Sequence, residues 1–219
     1  MRLHRFVLAA LILLIAPPAF AQEWIDYNSR EHFFHVNFPS QPTVERSTWT
    51  SEYGASLPEH VFSAEARGRR YVITVVDFTD IQAIHAKRVK DCPPDAHTGC
   101  SGSGSTGVGS WIVDLRGAPL YAAGPFLQRD AKVTFFGWNF VDLVEGLQIQ
   151  LTNNADQSRT FVAIYMHENR LYILEATVPP RSPEPGAFLQ SLQFLDADGK
   201  AIRYRTIYSN GFPTPPRLR

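Results

Sequence analysis

Much of this chain consists of short segments in which apolar and polar side chains alternate, the pattern of β-strands with one buried side. In HFFHVNF, Phe34, Val36 and Phe38 fall on the same side of the predicted strand. RYVITVVDF is rich in the β-branched and aromatic residues that favour strands. Further along, SRTFVAIYMHENRLYILEATV predicts a hairpin with Glu168 and Asn169 at its bend. Strands with one apolar side need a second layer to cover them, so the pattern restricts the chain to sheet-based folds.

Other segments lack this alternation and predict helices. Asp80 is a suitable N-cap for a helix over Ile81–Lys90, and Glu184–Phe194 predicts another, with Pro185 near its first turn. The stretch Trp111–Arg129 fits helix or strand, because glycines and prolines interrupt it. This order of elements predicts an α+β fold, an antiparallel β-sheet with flanking helices in a single domain.

The N-terminal residues have the layout of a secretory signal peptide. Arg2 and Arg5 precede the apolar run FVLAALILLIA, and AFA at positions 19–21 is an A-x-A cleavage pattern before Gln22. The apolar run is shorter than the roughly 20 residues that a membrane span requires. We therefore predict a signal peptide over residues 1–21, a location in the periplasm or outside the cell, and no membrane span.

Beyond this leader we expect a single α+β domain over residues 22–198 and a basic tail, rich in proline and arginine, over 199–219. We expect the tail to be a solvated terminus. The whole chain has 21 Lys and Arg against 21 Asp and Glu, a formal net charge of zero. This balance gives no basic domain or face and predicts no nucleic-acid partner.

An irregular segment, DCPPDAHTGCSGSGSTGVGS, occupies about residues 91–110 and holds the only cysteines, Cys92 and Cys100. In an oxidising compartment such a pair forms a disulfide, so we predict a Cys92–Cys100 bond followed by a Gly/Ser-rich insertion. A zinc site built on both cysteines and His97 is the alternative, although their spacing is wider than in common structural zinc sites. The segment matches neither a Walker loop nor a nucleophile elbow.

Three motifs follow one another along the chain: FHVNFPSQP at residues 34–42, YVITVVDF at 71–78 and FLQSLQF at 188–194. Together they resemble bacterial exported domains of the PsbP-like α/β/α sandwich class, the fold of the photosystem II extrinsic protein. The resemblance covers most of residues 24–195. It implies an α/β/α sandwich and a non-enzymatic accessory, assembly or binding role. No metal or chloride ligand of that family has a matching residue here.

The sequence supports no catalytic, cofactor-binding or metal-binding residue. Its histidines are scattered, and His32 and His35, three apart in a predicted strand, would face opposite sides. We therefore expect a non-catalytic accessory or binding protein of the bacterial cell envelope, with an unknown protein or small-molecule partner.

Two other functions remain open. One is a periplasmic, hydrolase-like enzyme whose site assembles in space from scattered His, Asp and Glu side chains. The other is a structural or adhesive envelope protein, which would expose a large apolar patch or a free edge strand. The aromatic run FFGWNF at residues 135–140 is either the lining of a ligand groove or a core or edge strand.

Overall fold

The computed structural model describes residues 24–91 and 109–218. Within these ranges the chain forms ten strands and three helices. The strands are β1 (Ile25–Ser29), β2 (Phe34–Phe38), β3 (Thr43–Thr50), β4 (Ser56–Ala66), β5 (Arg69–Asp77), β6 (Ala131–Val141), β7 (Val144–Asn153), β8 (Arg159–His167), β9 (Arg170–Val178) and β10 (Gln193–Phe194). The helices are α1 (Ile81–Lys90), α2 (Ser110–Leu127) and α3 (Gly186–Leu189).

Seven strands form the main sheet, in the order β3-β4-β5-β9-β8-β7-β6, and every neighbouring pair is antiparallel. The predicted hairpin is confirmed as β8 and β9. At its bend, Glu168 and Asn169 have φ values of 45° and 59°, the left-handed conformation that tight two-residue hairpin turns require. β3 and β6 form the two edges of this sheet.

Each side of the main sheet is covered by a different layer. On one side, α1 and α2 pack against a core that includes Leu171 and Ile173 of β9. On the other side, Tyr172 and Leu174 of the same strand join a second core with the small sheet β1-β2-β10 and α3. Alternate side chains of β9 therefore belong to two different cores. The predicted α+β class with an antiparallel sheet is confirmed.

The helix prediction for Ile81–Lys90 is confirmed as α1, although Asp80 makes no side-chain capping hydrogen bond. The ambiguous stretch after it is the helix α2, which runs through Pro119 and Pro125. Ala118, Ala122 and Phe126 of α2 are buried at helical spacing against the sheet. Burial of this apolar face outweighs the helix-breaking tendency of the prolines.

The predicted helix over Glu184–Phe194 is wrong in extent. Only Gly186–Leu189 is helical, and Gln193–Phe194 pairs instead with β2 as β10. Phe188 and Phe194 are both fully buried in the core beneath the small sheet. A continuous helix would not place both rings there while also extending the small sheet.

The segment after Gly199 also differs from the solvated tail expected from the sequence. Ile202, Tyr204 and Tyr208 are buried members of the core under the small sheet. The backbone N–H of Tyr208 donates to the carbonyl oxygen of Leu143, at 2.9 Å. Packing therefore continues well past residue 198, because these three side chains complete a layer that the short β10 leaves open.

Two predicted features, the signal peptide over residues 1–21 and the Cys92–Cys100 disulfide, lie outside the described residues and stay predictions. The same holds for most of the Gly/Ser-rich insertion. Of the helices in the described ranges, none combines the length and the apolar character needed to cross a membrane.

Candidate functional site

The exposed edge strand β6 carries the largest group of exposed aromatic side chains among the described residues. Phe135, Phe136 and Phe140 are 44%, 44% and 46% exposed, and Trp138 is 68% exposed. We call these four residues the aromatic edge. The aromatic run lies in an edge strand, and some of its side chains also line a groove, so both sequence interpretations apply to it. Such exposure of large apolar side chains marks a surface that meets a partner or ligand.

Aromatic side chains lie on both faces of this edge, and a bulge in β6 determines which ring faces which side. The register with β7 shifts between Val133 and Phe135, which then lies opposite Gln150. The hydroxyl of the intervening Thr134 donates to the Gln150 carbonyl oxygen at 3.1 Å. After the shift, Phe136 faces the helix side of the sheet and Phe135 the other side. Bulges of this kind are common at sheet edges, where they redirect side chains.

A groove opens beside the aromatic edge on the helix side. It has a volume of about 360 Å³, and we call it the helix-side groove. Phe136 and Trp138 form one wall, and Pro119 and Leu120 of α2 form the other. Arg116 is its only lining cation. This volume and this largely apolar lining are typical of sites that bind ligand side chains or small molecules.

A second cavity, of about 430 Å³, lies beside the same edge and takes in side chains of the opposite face. We call it the polar groove, because Asn139, Gln148, Glu184 and Gln190 are among its lining residues. Asn139 Nδ2 donates to the Tyr165 hydroxyl oxygen at 2.8 Å. Burial raises the pKa of Tyr165 far above its ordinary value, so its hydroxyl keeps its proton. The aromatic edge therefore lies between one apolar and one polar groove.

A buried polar chain joins α1 to α2 on the helix side. His85 Nε2 lies 2.9 Å from Asp114 Oδ2, and His85 Nδ1 lies 3.2 Å from the Ser110 hydroxyl oxygen. The Ser51 hydroxyl donates to the same Asp114 oxygen at 2.5 Å. Because a carboxylate only accepts hydrogen bonds, Nε2 carries the proton and Nδ1 accepts from Ser110. The order serine, imidazole, carboxylate is that of a hydrolytic triad.

A second polar cluster combines Glu31, His32 and His60, whose potential metal-ligating atoms all lie within 4.8 Å of one another. Glu31 and His32 lie in the turn between β1 and β2, and His60 lies in β4. Burial, followed by the charge of His60, lowers the pKa of His32. No local sequence pattern indicates this cluster, because a turn of the small sheet and a strand of the main sheet supply its members.

Two other histidines stay apart from these clusters. His35 Nδ1 lies 3.1 Å from Asn28 Oδ1 on the small sheet, whereas His32 lies in the turn before β2 and not, as expected from the sequence, in the same strand. His167 is 1% exposed, and its Nε2 lies 2.7 Å from the Tyr204 hydroxyl oxygen. Of the histidines within the described residues, three belong to the two polar clusters, while His35 and His167 serve local packing and hydrogen bonding.

Comparison with known proteins finds structural similarity but no sequence match. The chain matches no family model and no curated protein. It is similar to the solution structure of cyanobacterial PsbP (CyanoP) from Synechocystis sp. PCC 6803, with a TM-score of 0.41 and 7% sequence identity. The superposition covers 82% of this chain and 96% of that chain. No residue role and no function is carried over from it.

Proposed function

We propose that this chain is an exported, non-catalytic binding protein whose partner is an extended polypeptide that adds to β6 as a further strand. The observation that carries the proposal is the aromatic edge with a groove on each face. Export is supported by the signal-peptide pattern of residues 1–21. The partner would be met in the periplasm or outside the cell.

The backbone of β6 is available for such an addition. The strand is 11 residues long and pairs only with β7 among the described strands. Natural edge strands are normally short or carry charges and prolines that prevent further pairing. Lys132 is the only charged residue of β6, and the strand contains no proline. Its outer donors and acceptors can therefore pair with a partner strand.

The grooves indicate the chemistry of the partner. Successive side chains of a strand point to opposite faces, so an added strand would send alternate side chains toward the two grooves. The helix-side groove, with Phe136, Trp138 and Leu120, suits apolar side chains. The polar groove, with Asn139 and Gln148, suits hydrogen-bonding side chains. The expected partner segment therefore alternates apolar and polar residues over about the length of β6.

The test begins with a displayed library of random peptides about as long as β6, selected on the purified, exported chain. We expect the selected peptides to alternate apolar and polar residues. Bound peptide should slow amide hydrogen exchange in β6 but not in β3. Phe136→Lys should weaken binding by roughly tenfold or more, because it places a charge in the apolar groove.

The matched control is Val44→Lys, which adds the same charge at a 48% exposed position of the opposite edge strand β3. It should leave peptide binding unchanged. Failure to select any alternating peptide, or equal losses in the two lysine variants, would contradict the proposal. Concentration-dependent dimers that form through β6 would contradict it as well, and would make this edge an interface between two copies of the chain.

A second candidate function, a periplasmic hydrolase, is favoured by the chain from Ser110 through His85 to Asp114. Ser110 is the first residue of α2 and is partly exposed. The Ile112 N–H already donates to the Gly109 carbonyl oxygen at 2.9 Å, so the N–H groups of Ser110 and Trp111 at the start of the helix are the candidates to stabilise an oxyanion beside this hydroxyl. These features support acyl transfer with Ser110 as nucleophile and His85 as general base.

This candidate is tested with a fluorophosphonate probe and a chromogenic acetyl ester. Covalent labelling of Ser110, lost in Ser110→Ala, is the expected result for a hydrolase. Ser47→Ala, in the exposed edge strand β3, is the matched control and should label like the unchanged protein. No labelling, or labelling that persists in Ser110→Ala, would leave the polar chain with a purely structural role.

A further inference from the structure

We propose that Glu31, His32 and His60 bind one divalent transition-metal ion, and that Zn²⁺ fits the site best. The three side chains offer two imidazole nitrogens and one carboxylate oxygen, all within 4.8 Å of one another. Two histidines and one glutamate are an established ligand set for zinc, with a fourth position left for water or another ligand. Mg²⁺ and Ca²⁺ prefer oxygen ligands alone and fit this set poorly.

His32 is held in place by its backbone and its surroundings. Its N–H donates to the Ser29 hydroxyl oxygen at 3.3 Å, and its carbonyl oxygen accepts from the Tyr172 hydroxyl at 2.9 Å. The edge of its ring packs against Phe62, with centroids 5.4 Å apart. A ligand fixed in this way loses little conformational entropy when it binds a metal ion.

The two imidazole rings lie against each other without hydrogen-bonding partners. The centroids of His32 and His60 are 4.2 Å apart, and the rings are tilted by 42°. In the described part of the chain, neither ring makes a hydrogen bond, and the nearest carboxylate oxygen to His32 Nε2 belongs to Glu31, at 3.9 Å. Among the described residues, neither ring belongs to the buried side chains left without a hydrogen-bond partner, so solvent reaches the ring nitrogens and an incoming ion can reach them as well.

The distances permit coordination after small side-chain movements. Zinc bonds of about 2.0–2.1 Å in tetrahedral geometry place ligand atoms roughly 3.3 Å apart. Separations of up to 4.8 Å must therefore close by as much as about 1.5 Å. Glu31 can supply most of this movement, because its side chain is 70% exposed. His60 is only partly buried and can adjust as well.

A bound ion would connect two layers of the fold. Glu31 and His32 belong to the small sheet, through the turn between β1 and β2, whereas His60 belongs to the main sheet. The unfolded chain does not hold these three residues together, so a metal ion that binds the folded state raises its stability, by an amount that grows with the logarithm of the free ion concentration above the dissociation constant. The site would therefore be detected both by binding and by thermal denaturation.

The experiment uses the exported chain without a histidine tag, titrated with Zn²⁺ by calorimetry and followed by thermal denaturation. We expect one ion per chain and a rise in melting temperature with Zn²⁺ concentration. Co²⁺ should give the visible absorption bands of a four-coordinate site. Because Cys92 and Cys100 would compete for zinc as free thiols, the same titration is made with both replaced by serine, and binding should persist.

Two conservative variants test the ligands. His60→Gln and Glu31→Gln should each weaken Zn²⁺ binding by roughly 100-fold or more and abolish the rise in melting temperature. His35→Gln, on the neighbouring strand of the small sheet, is the matched control and should bind like the unchanged protein. No stoichiometric binding, or binding that survives in both ligand variants, would overturn the assignment.

Discussion

His167, at the end of β8, illustrates a titratable residue that serves the core. It is 1% exposed, its Nε2 lies 2.7 Å from the Tyr204 hydroxyl oxygen, and its ring stacks on Phe194 with centroids 4.2 Å apart. Burial, reinforced by the charges of Arg217 and Arg170, lowers the pKa of His167 to about 3. Its imidazole is therefore neutral in the folded protein at any ordinary pH.

This lowered pKa predicts a loss of stability on acidification. The unfolded chain protonates His167 near pH 6.5, whereas the folded protein does so only near pH 3. Between these values the unfolded state binds more protons, so the free energy of unfolding falls as the pH falls. Urea denaturation at about pH 7 and about pH 5 should show a shallower fall for His167→Gln than for the unchanged protein. His35→Gln should lose as much stability between these pH values as the unchanged protein. An equal loss in all three proteins would contradict the role of His167 in this pH dependence.

At the scale of elements, α1 and α2 are held together by one buried carboxylate. Asp114 has no exposed surface, and its Oδ2 accepts from His85 of α1 and from Ser51, which precedes β4. The Ser51 hydroxyl oxygen accepts in turn from the Ala55 backbone N–H at 2.9 Å. One side chain therefore connects two helices and the turn that leads into β4.

Removal of this carboxylate should destabilise the helix layer. Asp114→Ala leaves the donors of His85 and Ser51 buried and unpaired, and we expect a loss of about 2–4 kcal/mol in the free energy of unfolding. Urea denaturation measures the loss, and amide exchange should speed up in α1 before it does in the sheet. Asp80→Ala, at an exposed position whose side chain makes no capping hydrogen bond, is the control and should change stability little. A loss of the same size in both variants would argue against this role for Asp114.

The helices and strands that could be predicted from the sequence are those determined by the local sequence of the element itself. α1 and the β8–β9 hairpin follow from local periodicity and turn chemistry. β10 depends instead on pairing with β2, and α2 keeps Pro119 inside a helix because its apolar face is buried. The Glu31, His32 and His60 cluster was missed for the same reason: a turn and a distant strand meet only in the folded chain. These features depend on packing between residues far apart in the sequence, which local sequence patterns do not indicate.

For the whole molecule, the helix layer and the small sheet protect opposite faces of one main sheet. The segment with Cys92 and Cys100 connects α1 to α2, so a disulfide there would restrain the link between the two helices of one layer. A cross-link stabilises the folded state mainly by restricting the unfolded chain.

We predict that reduction of the Cys92–Cys100 bond lowers the free energy of unfolding by about 2–3 kcal/mol, the loop-closure value for so short a loop. Intact mass before and after reduction detects the bond, and urea denaturation in the presence and absence of reductant measures its effect. The variant with both cysteines replaced by serine should match the reduced protein. An identical mass with and without reductant would refute the bond.

In the proposed strand addition, the unlike edges of the main sheet would limit how many partner strands one chain can bind. β3 presents the charges of Glu45 and Arg46 at one end of the strand order, and β6 presents the aromatic edge at the other. A sheet that accepts new strands at both ends can grow into a filament, whereas one protected end stops growth after a single addition. Any complex formed through this sheet should therefore be closed and of fixed stoichiometry, with one partner strand for each chain.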